Sequence, residues 1–166
     1  EYYVERPYAI EFPTIDIVIE KDGQQLVLGG TTITFYLSPW HTHDGLFTFI
    51  EPLGIWITGD YLSDFELPYL FDSAKAYLET LQKSFMILNK YHVEVLVPGH
   101  GQATESKEEM KRRIDLAKDY LERLINAVSK EDAEAVLGLK KEMSFPSNLT
   151  KECHEENVAI IKKEYC

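Results

Sequence analysis

Three segments of this chain share one grammar. In residues 31–41, 55–60 and 93–100 a run of β-branched and apolar side chains is broken by glycine or proline, and an imidazole or carboxylate follows closely. Such runs read as buried strands, and the breakers read as strand ends. Backbone at a strand end is held by the sheet, while the residues just beyond it are free to aim a side chain into a cleft. The three segments deliver His41, Asp60 and His100 in that order. Two neutral imidazoles and a carboxylate brought to one rim form a ligand set suited to zinc or a similar divalent ion. A strand-end histidine or aspartate on its own is as readily a turn former or a hydrogen-bond partner, so the weight rests on the three together.

The remaining elements fall around these segments. Residues 1–12 mix tyrosine, proline and charge and read as an irregular lead-in, while Ile15 to Glu20 alternates as a strand. Asp22 and Gly23 form a turn before a strand at 25–28, and Gly29 and Gly30 reverse the chain into Thr31 to Leu37, giving a three-stranded antiparallel meander that ends near His41. A strand from Leu46 to Ile50 and one from Ile55 to Thr58 form a hairpin with His41 just before it and Asp60 just after. Asp72 or Ser73 caps a helix running to about Asn89, with Ala74, Leu78, Leu81, Phe85 and Leu88 on one face. Val93 to Val97 is mostly apolar, as a strand covered on both faces should be, and Gly99 and Gly101 let the backbone turn sharply around His100. Ser106 to Glu109 is a capping box opening a long helix, a shorter helix runs from Glu131 to Leu137 and is ended by Gly138, and Thr150 caps a last one after an irregular stretch at 143–148. With 166 residues and 45% hydrophobic content, a single domain over the whole chain is expected.

The three motifs resemble those of the metallo-β-lactamase superfamily of hydrolases. Its second half carries a Gly-His-Thr-like turn, a strand ending in Gly-Asp and a strand ending in Pro-Gly-His-Gly. Here these correspond to Trp40, His41 and Thr42, then Gly59 and Asp60, then Pro98, Gly99, His100 and Gly101. The resemblance covers roughly residues 14 to 104. It implies an αββα sandwich with a mixed, mostly antiparallel sheet covered by helices. It also implies two metal ions, zinc foremost, with Asp60 as the bridging and catalytic carboxylate and His41 and His100 each on a different ion. The first-half signature His-x-His-x-Asp-His is missing from the given chain, whose histidines are His41, His43, His92, His100 and His154. The chain therefore reads as the C-terminal half of such an enzyme, and as inactive alone. Trp40 and Asp44 stand where the family has glycine.

The function expected from this resemblance is metal-dependent hydrolysis of an ester, thioester, lactone, lactam or phosphoester bond in a small molecule by an activated water. The alternative is a non-catalytic binding or assembly module on the same half-fold. His43, two residues from His41, and Tyr61, next to Asp60, are candidate substrate contacts. Phe65, Tyr69 and Phe71 either extend that surface or pack in the interior. His92 and His154 read as structural or solvated. A net charge of -11 argues against nucleic-acid partners and anionic lipid. No apolar run is long enough to span a membrane, and Cys153 and Cys166 are not spaced as a ligand pair, so a reducing, cytoplasmic setting is expected. With half of the sandwich missing, the inner sheet face should be uncovered, which predicts a dimer or a companion chain.

Overall fold

The site rests on a five-stranded sheet in which sequence order and spatial order coincide: β1 (Gln24–Leu28), β2 (Thr31–Leu37), β3 (Leu46–Glu51), β4 (Ile55–Gly59) and β5 (Val95–Pro98). The first four are antiparallel neighbours, and β5 joins β4 in parallel. A parallel neighbour needs a crossover, supplied here by α1 (Ala74–Lys90). Three further helices follow, α2 (Lys107–Ser129), α3 (Ala133–Glu142) and α4 (Asn148–Tyr165). The computed structural model describes residues 14–39, 44–142 and 148–166. Among them no helix is long and apolar enough to cross a membrane. The expected lead-in at 1–12 and residues 143–147 of the expected irregular stretch at 143–148 lie outside the described residues, and Asn148 belongs to α4.

Alternation along the strands gives the sheet two unlike faces. Tyr36, Phe47, Phe49, Trp56 and Leu96 point to the helices and are at most 3% exposed. Their rings interlock: Phe47 meets Trp56 and Tyr61 edge-on, and Tyr61 in turn stacks at a tilt on Tyr77 of α1. On the opposite face, Ile33 lies across from Ile50, Ile50 across from Ile55, and Ile55 across from Val95. Phe35, Thr48, Ile57 and Val97 form the next row. None of these is buried, and Ile57 is 39% exposed. β5 is thus apolar on both sides, as expected, but covered on one.

Helix ends show how side chains fix the layers. Ser73 Oγ accepts from the Ala76 amide and so caps α1. The first turn of α1 contains no acid of its own; Glu164, from the far end of α4, accepts from the Ala74 amide at 2.8 Å and from Ser73 Oγ at 2.6 Å. A carboxylate there satisfies orphan donors and meets the positive end of the helix dipole. Asn157, also on α4, donates to the Pro68 carbonyl and accepts from the Leu70 amide, both at 2.7 Å, and so fastens the loop after Asp60.

Several expectations need correction. Residues 15–20 form no strand. Ile15, Ile17 and Val18 are exposed, and the side-chain amide of Gln24, the first residue of β1, ties to this segment by accepting from the Glu20 amide and donating to the Val18 carbonyl. Gly138 does not end α3. The helix begins after Asp132, whose Oδ1 accepts from the Ala135 amide, and continues to Glu142 because Leu139 beyond the glycine packs into the core at 3% exposure. Half of the expected capping box forms at α2: Ser106 Oγ accepts from the Glu109 amide, but the Glu109 carboxylate turns to Arg112 and Arg113. α4 starts at Asn148, ahead of the expected cap at Thr150.

The two faces predict unequal costs of truncation. Phe47→Ala, on the helix-covered face, should lower stability by about 3–5 kcal/mol in urea unfolding. Phe35→Ala, on the uncovered face, should cost markedly less.

Candidate functional site

The sheet register gathers the motif-bearing ends at one rim. Leu37 lies opposite Leu46, Thr48 opposite Ile57, and Gly59 opposite Pro98, so the ends of β2 and β4 and the start of β3 converge with the end of β5. Ser38 donates its amide to the Gly45 carbonyl at 2.8 Å and closes the base of the β2–β3 connection. Lys83 of α1 reaches the Leu37 carbonyl at 2.7 Å and pairs with Asp22, which itself accepts from the Leu37 amide. His41 and His43, within that connection, lie outside the described residues.

Asp60 and His100 are brought together. The Asp60 Oδ1 to His100 Nε2 distance is 3.3 Å, with the carboxylate side chain 30% and the imidazole 57% exposed. Two tight turns set this approach. After β4, Gly59 takes a positive φ of 54°, the Tyr61 amide donates to the Thr58 carbonyl, and Thr58 Oγ1 donates back to the Tyr61 carbonyl. After β5, the Gly99 amide donates to the Gly59 carbonyl at 2.6 Å. A Cβ at Gly99 would lie 2.6 Å from Asp60 Oδ1 and 3.1 Å from the Gly59 backbone, so glycine is needed there for space. Gly101 is needed for conformation as well, with φ at +93° and Asp64 Oδ1 2.0 Å from where its Cβ would stand.

Tyr61 lies in the core at 2% exposure, where burial raises its phenol well above the ordinary range, rather than on an open surface beside Asp60. Phe65 and Phe71 are about half exposed, and Tyr69 packs on Phe71 and donates to Glu156, which raises its phenol to about 12. His92 is paired with Glu94 on the surface, and His154 is buried with Nδ1 2.8 Å from the Tyr120 hydroxyl. The loop supports were not legible as such: Asp64 Oδ1 accepts from the Gln102 amide at 2.9 Å, and Arg113, 4% exposed, reaches the same loops. A basic residue among Met110, Ile114 and Ala117 on the apolar stripe of α2 was the available signal.

Solved structures similar to this one include the stereoselective inverting sec-alkylsulfatase Pisa1 from Pseudomonas sp., at 16% identity and a TM-score of 0.64 over 92% of this chain and 27% of that one. A metallo-β-lactamase family protein from Thermus thermophilus matches at 20% identity and a TM-score of 0.59, over 92% of this chain and 51% of that one. The fold is that of part of a metallo-β-lactamase. No protein-family model matches the sequence, and no curated protein does at the significance required. The chain spans between about a quarter and a half of the length of these metallo-β-lactamase-fold relatives.

The donors fit a metal. Imidazole nitrogen and carboxylate oxygen at about 2.0–2.2 Å from a tetrahedral zinc ion stand about 3.3–3.5 Å from one another, and the observed separation is 3.3 Å. Among the described residues no group of three His, Cys, Asp or Glu side chains comes together. His41 would have to supply the third donor, and it is not among those residues.

The packing at this rim can be tested at two positions. Gly99→Ala should separate the Asp60 and His100 side chains and shift their NMR resonances while leaving the α2 amides in place. Glu109, hydrogen-bonded by Arg112 and Arg113, has its carboxyl lowered to about 2 from an ordinary 4.5. The unfolded chain therefore takes up this proton first as pH falls. The stabilisation is complete above about pH 5 and is lost between there and about pH 2. Glu109→Gln should lower the urea midpoint at pH 7, with the difference from the parent shrinking by about pH 3.

Proposed function

We propose that this chain is the C-terminal, metal-holding half of a metallo-β-lactamase-type hydrolase acting on an ester, thioester, lactone, lactam or phosphoester. The observation that carries this reading is the 3.3 Å pairing of Asp60 and His100 at the rim where the β2–β3 connection also begins and ends. The similarity to an alkylsulfatase and to a metallo-β-lactamase family protein supports hydrolysis in general terms.

In this proposal His41, Asp60 and His100 would hold zinc, with Asp60 contributing two carboxylate oxygens and a negative charge. When bound, such an ion supplies Lewis acidity and lowers the pKa of a water toward about 7. The chain's own residues do the rest: the glycine turns let the two strand ends approach, and the half-exposed His100 imidazole keeps the pair open to solvent. His43 is assigned a substrate contact. With this set alone, metal affinity is weak and hydrolysis absent, because a closed coordination shell needs more donors than these.

The uncovered sheet face belongs to the same reading. Ile33, Phe35, Ile50, Ile55, Ile57, Val95 and Val97 carry no charge between them, and an apolar sheet face of this kind packs about 10 Å from a second sheet. A second copy of this chain is the proposed occupant. Sedimentation equilibrium should show a dimer that Ile55→Lys dissociates, and a monomer over the same concentration range would count against it.

The metal reading is tested by joining the chain to a segment carrying His-x-His-x-Asp-His. The joined protein should retain zinc through dialysis and hydrolyse activated esters. Asp60→Ala should remove both properties; hydrolysis that survives this substitution overturns the assignment.

A further inference from the structure

Asp60 and His100 come from different strands, and each begins a loop that must hold its shape for the pair to stay at 3.3 Å. The Gly99 amide to the Gly59 carbonyl and the Gln102 amide to Asp64 Oδ1 join these loops directly. A third connection comes from outside them. Arg113, in the second turn of α2, places one nitrogen, Nη1, 3.2 Å from the Leu62 carbonyl and 2.8 Å from the Gln102 carbonyl. Each of those carbonyls lies two residues beyond one of the paired side chains.

We propose that Arg113 is a positioning residue that sets the separation of Asp60 and His100 by locking their two loops to α2. The proposal rests on the reading of that pair as metal ligands. Several features support it. The Arg113 side chain is 3% exposed, and its charge is permanent, so burial would be costly unless its donors were used. Three of the five are: Nε donates to Glu109 Oε1 at 2.9 Å, which fixes the plane of the guanidinium, and Nη1 serves both carbonyls. Glu109 is in turn held from its other side by Arg112 at 2.7 Å, so the guanidinium is braced against a carboxylate that cannot swing away.

The backbone it grips also needs a grip. Leu62 has a φ of +60°, a conformation in which a residue with a Cβ is strained. Such a turn persists only where its surroundings over-determine it, and the Leu62 carbonyl is where Arg113 attaches. On the other loop, Gly101 at φ +93° lies directly before the second carbonyl. A lysine at 113 could reach the carbonyls with its three donors but could not present the planar fork to Glu109. Arginine ties three points at once.

A purely structural arginine and a positioning one differ in what their loss disturbs. The test compares Arg113→Met, Arg113→Lys and, as a control, Arg112→Met, which alters the same carboxylate and reaches the loops only through the attraction of its charge for Asp64. In amide hydrogen exchange by NMR, Arg113→Met should speed exchange at Gly99 and Gln102 by about tenfold or more relative to Leu121 and Leu124 within α2. Arg113→Lys should recover part of that protection, and Arg112→Met, which removes only the outer brace on Glu109, should raise exchange there far less than Arg113→Met does. Cobalt affinity of the protein joined to the His-x-His-x-Asp-His segment, measured by competition with a chromophoric chelator, should fall about 10- to 100-fold in Arg113→Met, the range for losing a group that orients ligands. If Arg113→Met does not fold, Arg113→Lys and Glu109→Gln carry the same comparison, each with a smaller expected rise in exchange at the two loop amides.

Exchange at Gly99 and Gln102 that stays at the parent level, or rises only in step with the α2 amides, overturns the proposal. A joined protein that takes up no cobalt sinks the metal reading instead, and the exchange measurement still decides whether Arg113 locks the loops.

Discussion

The parallel pairing of β4 with β5 is the constraint on which the rest of this molecule depends. It is the one parallel contact among the described strands, and it makes α1 necessary, since the chain must travel back along the sheet before β5 can run beside β4. It also decides that both strands finish at the same rim. Had β5 been antiparallel, His100 would emerge at the opposite edge from Asp60. The pairing slips between Ile57 and Gly59, so that Gly59 rather than Thr58 meets Pro98. That slip, with glycines at 59 and 99, draws the two loops close enough for the Asp60 carboxylate and the His100 imidazole to stand 3.3 Å apart.

Around this pairing the structure separates two tasks that one sheet can serve because successive residues point opposite ways. One face is spent on cohesion: Phe47, Phe49, Trp56 and Leu96 are sealed beneath α1 and α2 with almost no exposure. The other face, equally apolar, carries no described helix. Stability in this chain is therefore one-sided, and the rim sits between a face already committed to packing and one still open to it.

Much of this was legible in the letters. Val93 to Val97, Ile55 to Thr58 and Thr31 to Leu37 read as strands because β-branched residues and flanking glycines leave few alternatives, and Ser73 and Ser106 marked helix starts that the structure reproduces. Strand ends and their order led to the expectation that His41, Asp60 and His100 meet at one rim; Asp60 and His100 stand 3.3 Å apart there, and His41 lies outside the described residues. Other features depended on partners distant in sequence. Residues 15–20 alternate as a strand should, yet alternation does not say whether a neighbour is available, and this segment lies outside the sheet. Gly138 carries a helix-ending letter in a helix that tertiary packing of Leu139 prolongs. Tyr61 sits next to Asp60 in sequence but on the other side of a turn, and its ring goes into the interior. Arg113 was invisible as a loop support, because periodicity flags where a side chain points and not which carbonyls await it there.

The carboxylate of Glu164 closes the start of α1 across about ninety positions of sequence, through bonds to Ser73 and Ala74. Fraying of the final turn of α4 would thus be transmitted to the beginning of the crossover, releasing three donors, the Lys75 amide included, that no acid in the first turn of α1 is there to satisfy. The tail of the described polypeptide works as a latch on its middle, and the order in which these two helices dock is tied together: neither end is fully seated until the other has arrived.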